Sequence, residues 1–291
     1  MDIGLRLEQD LELAVARAAG NDCPPLLADA LRYAVFPGGA RIRPRLTVAV
    51  AHACGNQNPT AAIASASAIE LLHCASLVHD DLPCFDDSPL RRGQPSVHAA
   101  YGAPIAVLAG DALIVLAFDV IAAAATTADD ARLAVRLTRS VAAAVGAPRG
   151  IASGQAWECE GDIDLASYHR AKTAALFCGA AAAGAATAGA DDASWYLFGE
   201  KLGLAFQVAD DVCDALGATC DLGKPVARDA VLGRPNAVRN LGAAEAIARV
   251  GVLVADALDA VPPCPGREAF RDLVMREASH LLPPSLARVA A

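Results

Sequence analysis

The sequence predicts an all-α protein, a helical bundle formed by a single domain over residues 1–291. The hydrophobic fraction is 55%, but much of it is alanine, and aromatic residues make up only 4%. This composition favours closely packed helices, because a β sandwich would need more Val, Ile, Tyr and Thr. Apolar residues recur at helical spacing along the chain, and no segment shows the alternation that is typical of a strand. The sequence has neither an internal repeat nor a flexible linker, which favours one domain over two.

The predicted elements follow one another as amphipathic or buried helices that end at glycine or proline. The first interleaves leucines with glutamates and ends at a break in residues 21–25. A longer apolar helix leads into an acidic stretch, where Pro83 ends or kinks it, so Asp86 must return towards Asp80 through an irregular turn. The predicted helices cover residues 5–19, 26–35, 46–53, 59–78, 104–125, 129–145, 168–188, about 195–214 and 243–289, with a break at 262–265.

Composition and charge argue against several classes of protein. A net charge of −9 argues against a nucleic-acid partner, because binding to the phosphate backbone needs a basic face. Nine cysteines are scattered without a C-x-x-C pair, which indicates reduced thiols and a cytoplasmic protein. Residues 1–10 carry charges and no apolar signal segment, and no run of about eighteen strongly apolar residues predicts a transmembrane segment.

An acidic cluster follows the apolar helix of residues 59–78. Carboxylates packed this closely repel one another, and the end of a buried helix would rarely carry them without a cation. Mg²⁺ binds carboxylate and phosphate oxygens, and a neighbouring arginine can grip a phosphate with two hydrogen bonds. A solvated acidic loop with ion pairs is the alternative. The residues are Asp80, Asp81, Asp86 and Asp87, followed by Arg91 and Arg92.

A second acidic cluster lies on the helix of residues 195–214. Gln207, Asp210, Asp211 and Asp214 share one face, because they are spaced by three and four positions. A helical bundle can place both acidic clusters at one central cavity, where Mg²⁺ would hold a diphosphate between them. Apolar walls below the acids would suit a carbon chain.

Two glycines precede three arginines at alternating positions in residues 38–45. Glycine lets the backbone approach a ligand closely, so this segment is a candidate second phosphate-binding element. A loop with solvated arginines is the alternative.

These motifs resemble those of the trans-isoprenyl diphosphate synthases, the farnesyl and geranylgeranyl diphosphate synthase family. The first aspartate-rich motif is Asp80-Asp81-Leu82-Pro83-Cys84-Phe85-Asp86, and the second lies in residues 203–214. The agreement spans about residues 30–240 in the family's order. It also includes Leu90-Arg91-Arg92-Gly93, Gly154-Gln155, Lys172-Thr173 and Leu222-Gly223-Lys224. The resemblance implies the isoprenoid synthase fold, a central cavity, Mg²⁺ (usually three ions) and a homodimer.

The resemblance also implies a role for each matching residue. Asp80, Asp86 and Asp210 are similar to the direct metal ligands, with Asp81 and Asp214 supporting them. Arg91, Lys172 and Lys224 resemble the clamp on the allylic diphosphate, which Thr173 and Gln207 line. Arg41, His73 and Arg92 resemble the isopentenyl diphosphate site. The family reaction ionises the allylic diphosphate, joins the two carbon chains and loses a proton, so Asp80, Asp86, Asp210, Arg91 and Lys172 are the predicted catalytic residues.

The chain departs from the family pattern at two positions. Ala40 replaces a lysine that normally holds isopentenyl diphosphate, and Arg43 or Arg45 is placed to compensate. Gly233-Arg234 replaces a Gly-Lys turn and keeps the charge. The Ala-Arg-Ile-Arg-Pro variant is shared with synthases of the carotenoid and bacteriochlorophyll branch, which is an argument by analogy.

The product length is predicted from the residues before Asp80. A bulky aromatic residue five positions before the first aspartate stops growth at farnesyl diphosphate in the family. Here that position is Ala75, followed by Ser76, which favours geranylgeranyl diphosphate. A farnesyl diphosphate synthase and a non-catalytic regulatory subunit remain alternatives. A terpene cyclase would need no isopentenyl diphosphate site, and neither cluster has the spacing of an EF-hand.

Overall fold

The structure is a computed structural model, and it describes residues 3–36, 38–216 and 236–283. Within these ranges the chain is mostly helical, as the sequence predicts. The helices are α1 (Ile3–Ala18), α2 (Pro25–Val35), α3 (Ile42–Ala53), α4 (Pro59–Asp80), α5 (Val97–Tyr101), α6 (Ala103–Ala123), α7 (Ala128–Val145), α8 (Ile151–Trp157), α9 (Leu165–His169), α10 (Ala175–Thr187), α11 (Asp192–Ala215), α12 (Ala237–Leu241), α13 (Ala243–Asp259) and α14 (Arg267–Ala278), with a π-helical turn at Arg170–Ala174 between α9 and α10.

Contacts among Cα atoms divide the chain into two compact units. Unit 1 consists of Met1–His52, Asn56–Val141 and Ala183–Ala190. Unit 2 consists of Ala53–Gly55, Ala142–Ala182 and Asp191–Ala291.

Unit 1 is built around α4, which packs against α6, α1 and α2. Asn58 caps the helix by accepting a hydrogen bond of 3.0 Å from the amide of Ala61, and Pro59 occupies its first position. Almost every residue from Ala61 to Ala75 is buried, and most of them are alanine, isoleucine or leucine. Small side chains let the neighbouring helices approach α4 from several sides, so its C-terminal end is firmly held.

Unit 2 is built around α11, which packs against α13 and the π-helical turn. Asp191 caps α11 by accepting hydrogen bonds from the amides of Ala193 and Ser194. Gly203 allows the close approach of the π-helical turn, because a Cβ there would lie 2.5 Å from the Cα of Ala174. Three edge-to-face rings, with centroids 5.2–5.6 Å apart, complete the core; they belong to Trp195, Phe198 and Phe270.

A short β-hairpin corrects the prediction that the chain contains no strand. Leu90–Arg91 (β1) pairs antiparallel with Gln94–Pro95 (β2) across a turn in which Arg92 and Gly93 both have positive φ. This backbone is that of the tight turns that connect twisted hairpins. Strands of two residues show no alternation, so the periodicity of the sequence could not reveal them.

Two helices, α4 and α6, are long and apolar enough to cross a membrane by length and composition. The most apolar window of α4 is 83% buried in the protein, as expected of a core helix. That of α6 is 44% buried, and its exposed side carries two carboxylates, Asp111 and Asp119, which are unfavourable in lipid. Length and composition are therefore weak evidence for a membrane span here.

The cysteines only partly match the prediction of reduced thiols. Seven cysteines of the described ranges are free. Cys213 is disulfide-bonded in the structure, which contradicts the prediction at that residue.

Candidate active site

The first aspartate-rich motif, in unit 1, folds back on itself as the sequence predicts. Helix α4 ends at Asp80, and the amide of Asp86 then donates a hydrogen bond of 2.9 Å to the carbonyl of Asp80. Further backbone bonds close the loop, from Asp87 to Leu82 and from Ser88 to Asp81. The turn brings a carboxylate oxygen of Asp86 within 4.8 Å of one of Asp80. Two predicted metal ligands are thus placed side by side by the backbone.

The carboxylates of this motif are buried beside one guanidinium. Asp80, Asp81 and Asp86 are all less than 7% exposed. Arg91 donates to both carboxylate oxygens of Asp81, with a distance of 3.0 Å from Nε to Oδ2, and its Nη2 lies 3.6 Å from Oδ2 of Asp80. Burial lowers the pKa of Arg91, but its hydrogen bonds to Asp81 and the charges of the aspartates outweigh burial and raise it.

This arrangement fits a hard divalent cation. Arg91 supplies one positive charge to three carboxylates, and Asp80 and Asp86 converge at a separation that a bound Mg²⁺ could bridge. Asp81 accepts hydrogen bonds from both Nε and Nη2 of Arg91, which fits a supporting role rather than a direct one. Asp80 and Asp86 are therefore the residues of unit 1 best suited to hold the metal.

A cluster of positive charge surrounds His73, seven residues before Asp80. Burial lowers the pKa of His73 far below its usual value, and the positive charges of Arg43, Arg92, Arg91 and Arg41 lower it further. His73 is consequently neutral at pH 7. The pKa of His73 thus responds to the charge of Arg92, a second residue predicted for the isopentenyl diphosphate site, and to that of Arg43, which the sequence offered only as a replacement for the missing lysine.

Arg41, the third residue predicted for the isopentenyl diphosphate site, has a buried side chain with several partners inside the protein. Its side chain is 6% exposed, and it donates to Glu8 (2.8 and 3.2 Å), to Glu70 (2.5 Å) and to the carbonyl of Val35 (3.0 Å). Four of the five guanidinium N–H groups are used within the protein in this way. The structure therefore places Arg41 in a buried ion pair that uses most of its donors within the protein.

The two residues predicted to control product length lie on α4 below Asp80. Ala75 is buried and has the smallest side chain that a helix interior normally carries. Ser76 is half-buried, and its hydroxyl donates a hydrogen bond of 2.8 Å to the carbonyl of His73. This bond satisfies the hydroxyl within the helix, which leaves Ser76 compact.

In unit 2, Lys172 and Thr173 lie in the π-helical turn. Turns of this kind occur mostly as single insertions in α-helices and frequently at functional sites. Lys172 forms an ion pair with Glu158, whose side chain is 7% exposed. Glu158 also accepts hydrogen bonds from Tyr168 (2.7 Å) and Gln155 (2.9 Å). Glu158 does not stand out in the sequence, because it is one of four acids in residues 158–164.

A chain of hydrogen bonds links Thr173 to the second acidic cluster. The hydroxyl of Thr173 donates to the side-chain carbonyl of Gln207, whose amide donates to Asp211 over 2.8 Å. Asp211 is buried and also accepts a bond of 2.7 Å from the amide of Ala237, at the start of α12. Asp211 thus joins two helices. Asp210 and Asp214 lie one turn apart on α11 and are partly exposed.

Lys224, the third predicted member of the allylic diphosphate clamp, lies outside the described residues, as does Gly233-Arg234. The remaining members of the clamp lie in different units, with Arg91 in unit 1 and Lys172 in unit 2.

Gly154 on α8 packs directly against the backbone of Lys172, so we expect its replacement to destabilise the protein. A Cβ at this position would overlap the backbone nitrogen and Cα of Lys172. We expect Gly154→Ala to lower the free energy of unfolding by about 3 kcal/mol and to lower kcat, because the backbone that carries Lys172 must shift. Denaturant unfolding and steady-state kinetics measure both effects.

Gly251, inside α13, provides the matched control. A Cβ there meets nothing within 4 Å. Gly251→Ala is expected to raise the free energy of unfolding by about 0.5–1 kcal/mol, since alanine is the better helix former. Equal destabilisation by both variants would contradict the specific role of Gly154.

Comparison with known proteins identifies the family of the chain. Residues 24–249 match the model of the polyprenyl synthetase family. The chain is 49% identical to a geranylgeranyl diphosphate synthase of Cereibacter sphaeroides, over 97% of both chains. It is 45% identical to a geranylgeranyl diphosphate synthase of Rhodobacter capsulatus, again over 97% of both chains.

Solved structures show the same fold. An FPP/GFPP synthase of Zymomonas mobilis, in the apo form, superimposes with a TM-score of 0.79 at 30% identity, covering 94% of this chain and 96% of the other. A geranyltransferase of Helicobacter pylori, complexed with magnesium and isoprenyl diphosphate, superimposes with a TM-score of 0.78 at 29% identity, covering 93% and 95%. The motifs, the fold and the relatives agree, and the chain belongs to the polyprenyl synthetase family of trans-prenyltransferases.

Proposed function

We propose that the protein condenses isopentenyl diphosphate with an allylic diphosphate to give geranylgeranyl diphosphate. The observation that carries the proposal is the 49% identity, over 97% of both chains, to a geranylgeranyl diphosphate synthase. A second such relative, at 45% identity, supports it. Farnesyl diphosphate is the less favoured product, since the farnesyl diphosphate synthase of Geobacillus stearothermophilus is 39% identical over 76% of this chain.

The proposed metal ligands are Asp80 and Asp86 of the first cluster and Asp210 of the second, with three Mg²⁺ ions as is usual in the family. Bound Mg²⁺ would stabilise the negative charge that develops on the departing diphosphate. Asp81 keeps Arg91 beside the first cluster by accepting hydrogen bonds from its Nε and Nη2. Asp214 lies one turn from Asp210 and supports it. That both clusters act on one diphosphate is part of the proposal and rests on the family resemblance.

Lys172 and Arg91 would bind the oxygens of the allylic diphosphate, with Lys224 as the third cation. In the structure each of the first two is paired with a carboxylate, Lys172 with Glu158 and Arg91 with Asp81. These carboxylates orient the cations before the substrate arrives, which lowers the cost of binding. Thr173 and Gln207, already hydrogen-bonded to each other, would line the same diphosphate.

Isopentenyl diphosphate would bind at the positive cluster formed by Arg43, Arg92 and the neutral His73. The mutual repulsion of guanidinium groups in one place is relieved by an anion, and a diphosphate accepts several charge-assisted hydrogen bonds. His73 adds a neutral hydrogen-bonding group. After the carbon chains join, a proton must leave the new product, and the family resemblance implies that the released diphosphate accepts it.

Ala75→Tyr is expected to shorten the product. Ala75 is 1% exposed, so its methyl group lies in the interior of the protein. A tyrosine ring would reach much further from α4 than this methyl group and would shorten the space left for a growing carbon chain. We expect the main product to change from geranylgeranyl to farnesyl diphosphate, as measured by chromatography of the dephosphorylated alcohols. An unchanged product distribution would show that another residue limits chain length. Ala75→Val is the control, because it adds only two carbons.

We also propose that the two units form one polyprenyl synthase domain, that the protein is a cytoplasmic homodimer, and that its product serves carotenoid biosynthesis. The family match runs through both units, which supports one domain. Helix α6 exposes an apolar side, with Leu108 at 52% and Val115 at 68%, which supports association with a second copy. Light scattering of the purified protein tests the homodimer.

The decisive experiment is incubation of the purified protein with Mg²⁺, isopentenyl diphosphate and each allylic diphosphate in turn, followed by analysis of product chain length. Geranylgeranyl diphosphate as the main product supports the proposal. Farnesyl diphosphate as the end product would replace the assigned product but not the reaction. No product with any allylic diphosphate would favour a regulatory subunit.

A further inference from the structure

We propose that Arg41 is a positioning residue, which fixes the isopentenyl diphosphate site without touching the substrate. The inference rests on the proposed function: a buried ion pair holds the residues of the isopentenyl diphosphate site in place. Its partners are Glu8 on α1 and Glu70 on α4, neither of which the sequence indicates as functional.

Arg41 ties three parts of unit 1 together. Glu8 receives two of its hydrogen bonds from α1, and Glu70 receives one from the middle of α4, where its own side chain is 2% exposed. A third link runs to the carbonyl of Val35 at the end of α2. The guanidinium is the only cation that donates to Glu70 among the hydrogen bonds of the described residues that involve this carboxylate. Arg41 therefore defines where the loop after α2 meets α4.

The local backbone is specialised for this ion pair. Arg41 has a φ of 50°, which is uncommon for a residue with a side chain. A Cβ on Gly38 would overlap the Cζ of Arg41, so the guanidinium lies directly on the glycine. The left-handed backbone conformation of Arg41 and the absence of a side chain at Gly38 together fix the position of the guanidinium.

The same loop and helix carry the groups of the proposed isopentenyl diphosphate site. Arg43 follows Arg41 by two residues at the start of α3, and His73 follows Glu70 by one turn of α4. Arg92 is the third group of this site. A Cβ on Gly39 would lie 2.7 Å from Nη2 of Arg92, so this guanidinium packs against the second glycine of the loop. Displacement of the loop would move all three groups relative to one another.

The two possible roles of Arg41 predict effects of opposite sign. If Arg41 bound the diphosphate, neutralising Glu70 would release positive charge to the substrate and strengthen its binding. If Arg41 positions the site, Glu70→Gln loosens the ion pair and weakens binding, although the variant removes a negative charge near an anion site. Charge alone therefore cannot produce the result that the positioning role predicts.

The experiment compares Glu70→Gln with wild type in the full-length protein. KM for isopentenyl diphosphate comes from steady-state kinetics, and its Kd comes from calorimetry, which needs no turnover. We expect Glu70→Gln to raise both about tenfold and to change KM for the allylic diphosphate less than twofold. Arg41→Lys, which keeps the charge but not the planar fork, is expected to behave like Glu70→Gln. If Arg41→Lys bound isopentenyl diphosphate with the Kd of wild type, the proposal would be wrong.

Asp10→Asn is the matched control. Asp10 also lies on α1 and accepts a hydrogen bond of 2.6 Å from Ser67 on α4, so the variant weakens the same helix pair without touching Arg41. We expect it to lower Tm and to leave KM for isopentenyl diphosphate unchanged. The proposal is wrong if Glu70→Gln leaves Kd unchanged or lowers it, or if Asp10→Asn raises Kd as much. Absence of product with wild type would instead count against the proposed function, and the calorimetric comparison would still test Arg41.

Discussion

Asp80→Asn is expected to lower kcat by roughly 10³-fold or more. Asp80 ends the buried helix α4, and the loop that follows returns Asp86 to it through a backbone hydrogen bond of 2.9 Å. An amide has a similar shape but no charge, so the variant removes one carboxylate from the proposed metal site while it preserves the packing. Steady-state kinetics over a range of Mg²⁺ concentrations measures the loss and shows whether excess metal restores part of it. Asp210→Asn should act in the same direction.

The stability of Asp80→Asn separates loss of metal binding from loss of fold. Three buried carboxylates surround Arg91, which bonds directly to Asp81 and lies 3.6 Å from Asp80. Removal of the charge on Asp80 relieves repulsion, so we expect Tm without Mg²⁺ to stay equal or to rise. A Tm that falls by more than about 5 °C would attribute the lost activity to unfolding.

Asp129→Asn is the control for this comparison. Asp129 lies at the start of α7, where its side chain is 91% exposed and pairs with Arg132 over 3.2 Å. Surface pairs of this kind contribute less than about 1 kcal/mol. Both kcat and Tm of Asp129→Asn should match those of wild type, which would show that a carboxylate-to-amide change is harmless away from the proposed site.

Lys172→Met is expected to lower kcat by about 10²-fold and the free energy of unfolding by about 2–3 kcal/mol. Lys172 pairs with Glu158, whose side chain is 7% exposed and accepts further hydrogen bonds from Tyr168 and Gln155. Methionine keeps the apolar stem but leaves the carboxylate without this cation. The variant also removes one positive charge from the proposed allylic diphosphate clamp. Kinetics with each allylic diphosphate and denaturant unfolding measure the two effects.

Lys201→Met controls for the loss of a lysine from unit 2. Lys201 on α11 pairs with Asp256 over 3.8 Å, and the two side chains are 36% and 44% exposed. We expect a change in the free energy of unfolding below about 1 kcal/mol and no change in kcat. If Lys172→Met were no more harmful than Lys201→Met, the ion pair with Glu158 would have no special role.

Most of the fold could be predicted because helical periodicity is a strong signal in long apolar segments. Helix α4 begins at Pro59 as predicted and extends two residues beyond the predicted end, to Asp80. The last segment, predicted as helical over 243–289 with a break at 262–265, is divided at these prolines into α13 and α14, as expected. The hairpin at 90–95 was missed because it depends on two positive φ angles in the turn and not on a pattern of side chains.

The candidate site was predicted less completely, and the reason differs from residue to residue. The return of Asp86 to Asp80 follows from Pro83 and the spacing of the motif. The sequence could not distinguish the roles of Arg41 and Arg43, because they lie two positions apart in the same motif. The positive φ of Arg41, which places its side chain, cannot be read from that spacing. The role of Glu158 depends on its ion pair with Lys172, fourteen positions later, which no local sequence pattern indicates.

The π-helical turn at Arg170–Ala174 has a consequence for insertions and deletions in this family. Such a turn amounts to one extra residue within a helical stretch that otherwise runs from α9 through α10. One residue of an α-helix corresponds to a rotation of about 100°. Deletion of a single residue here would therefore rotate Lys172 and Thr173 out of phase with Ala174, which packs on Gly203. We expect length in this turn to be more strictly maintained than the identity of most of its side chains.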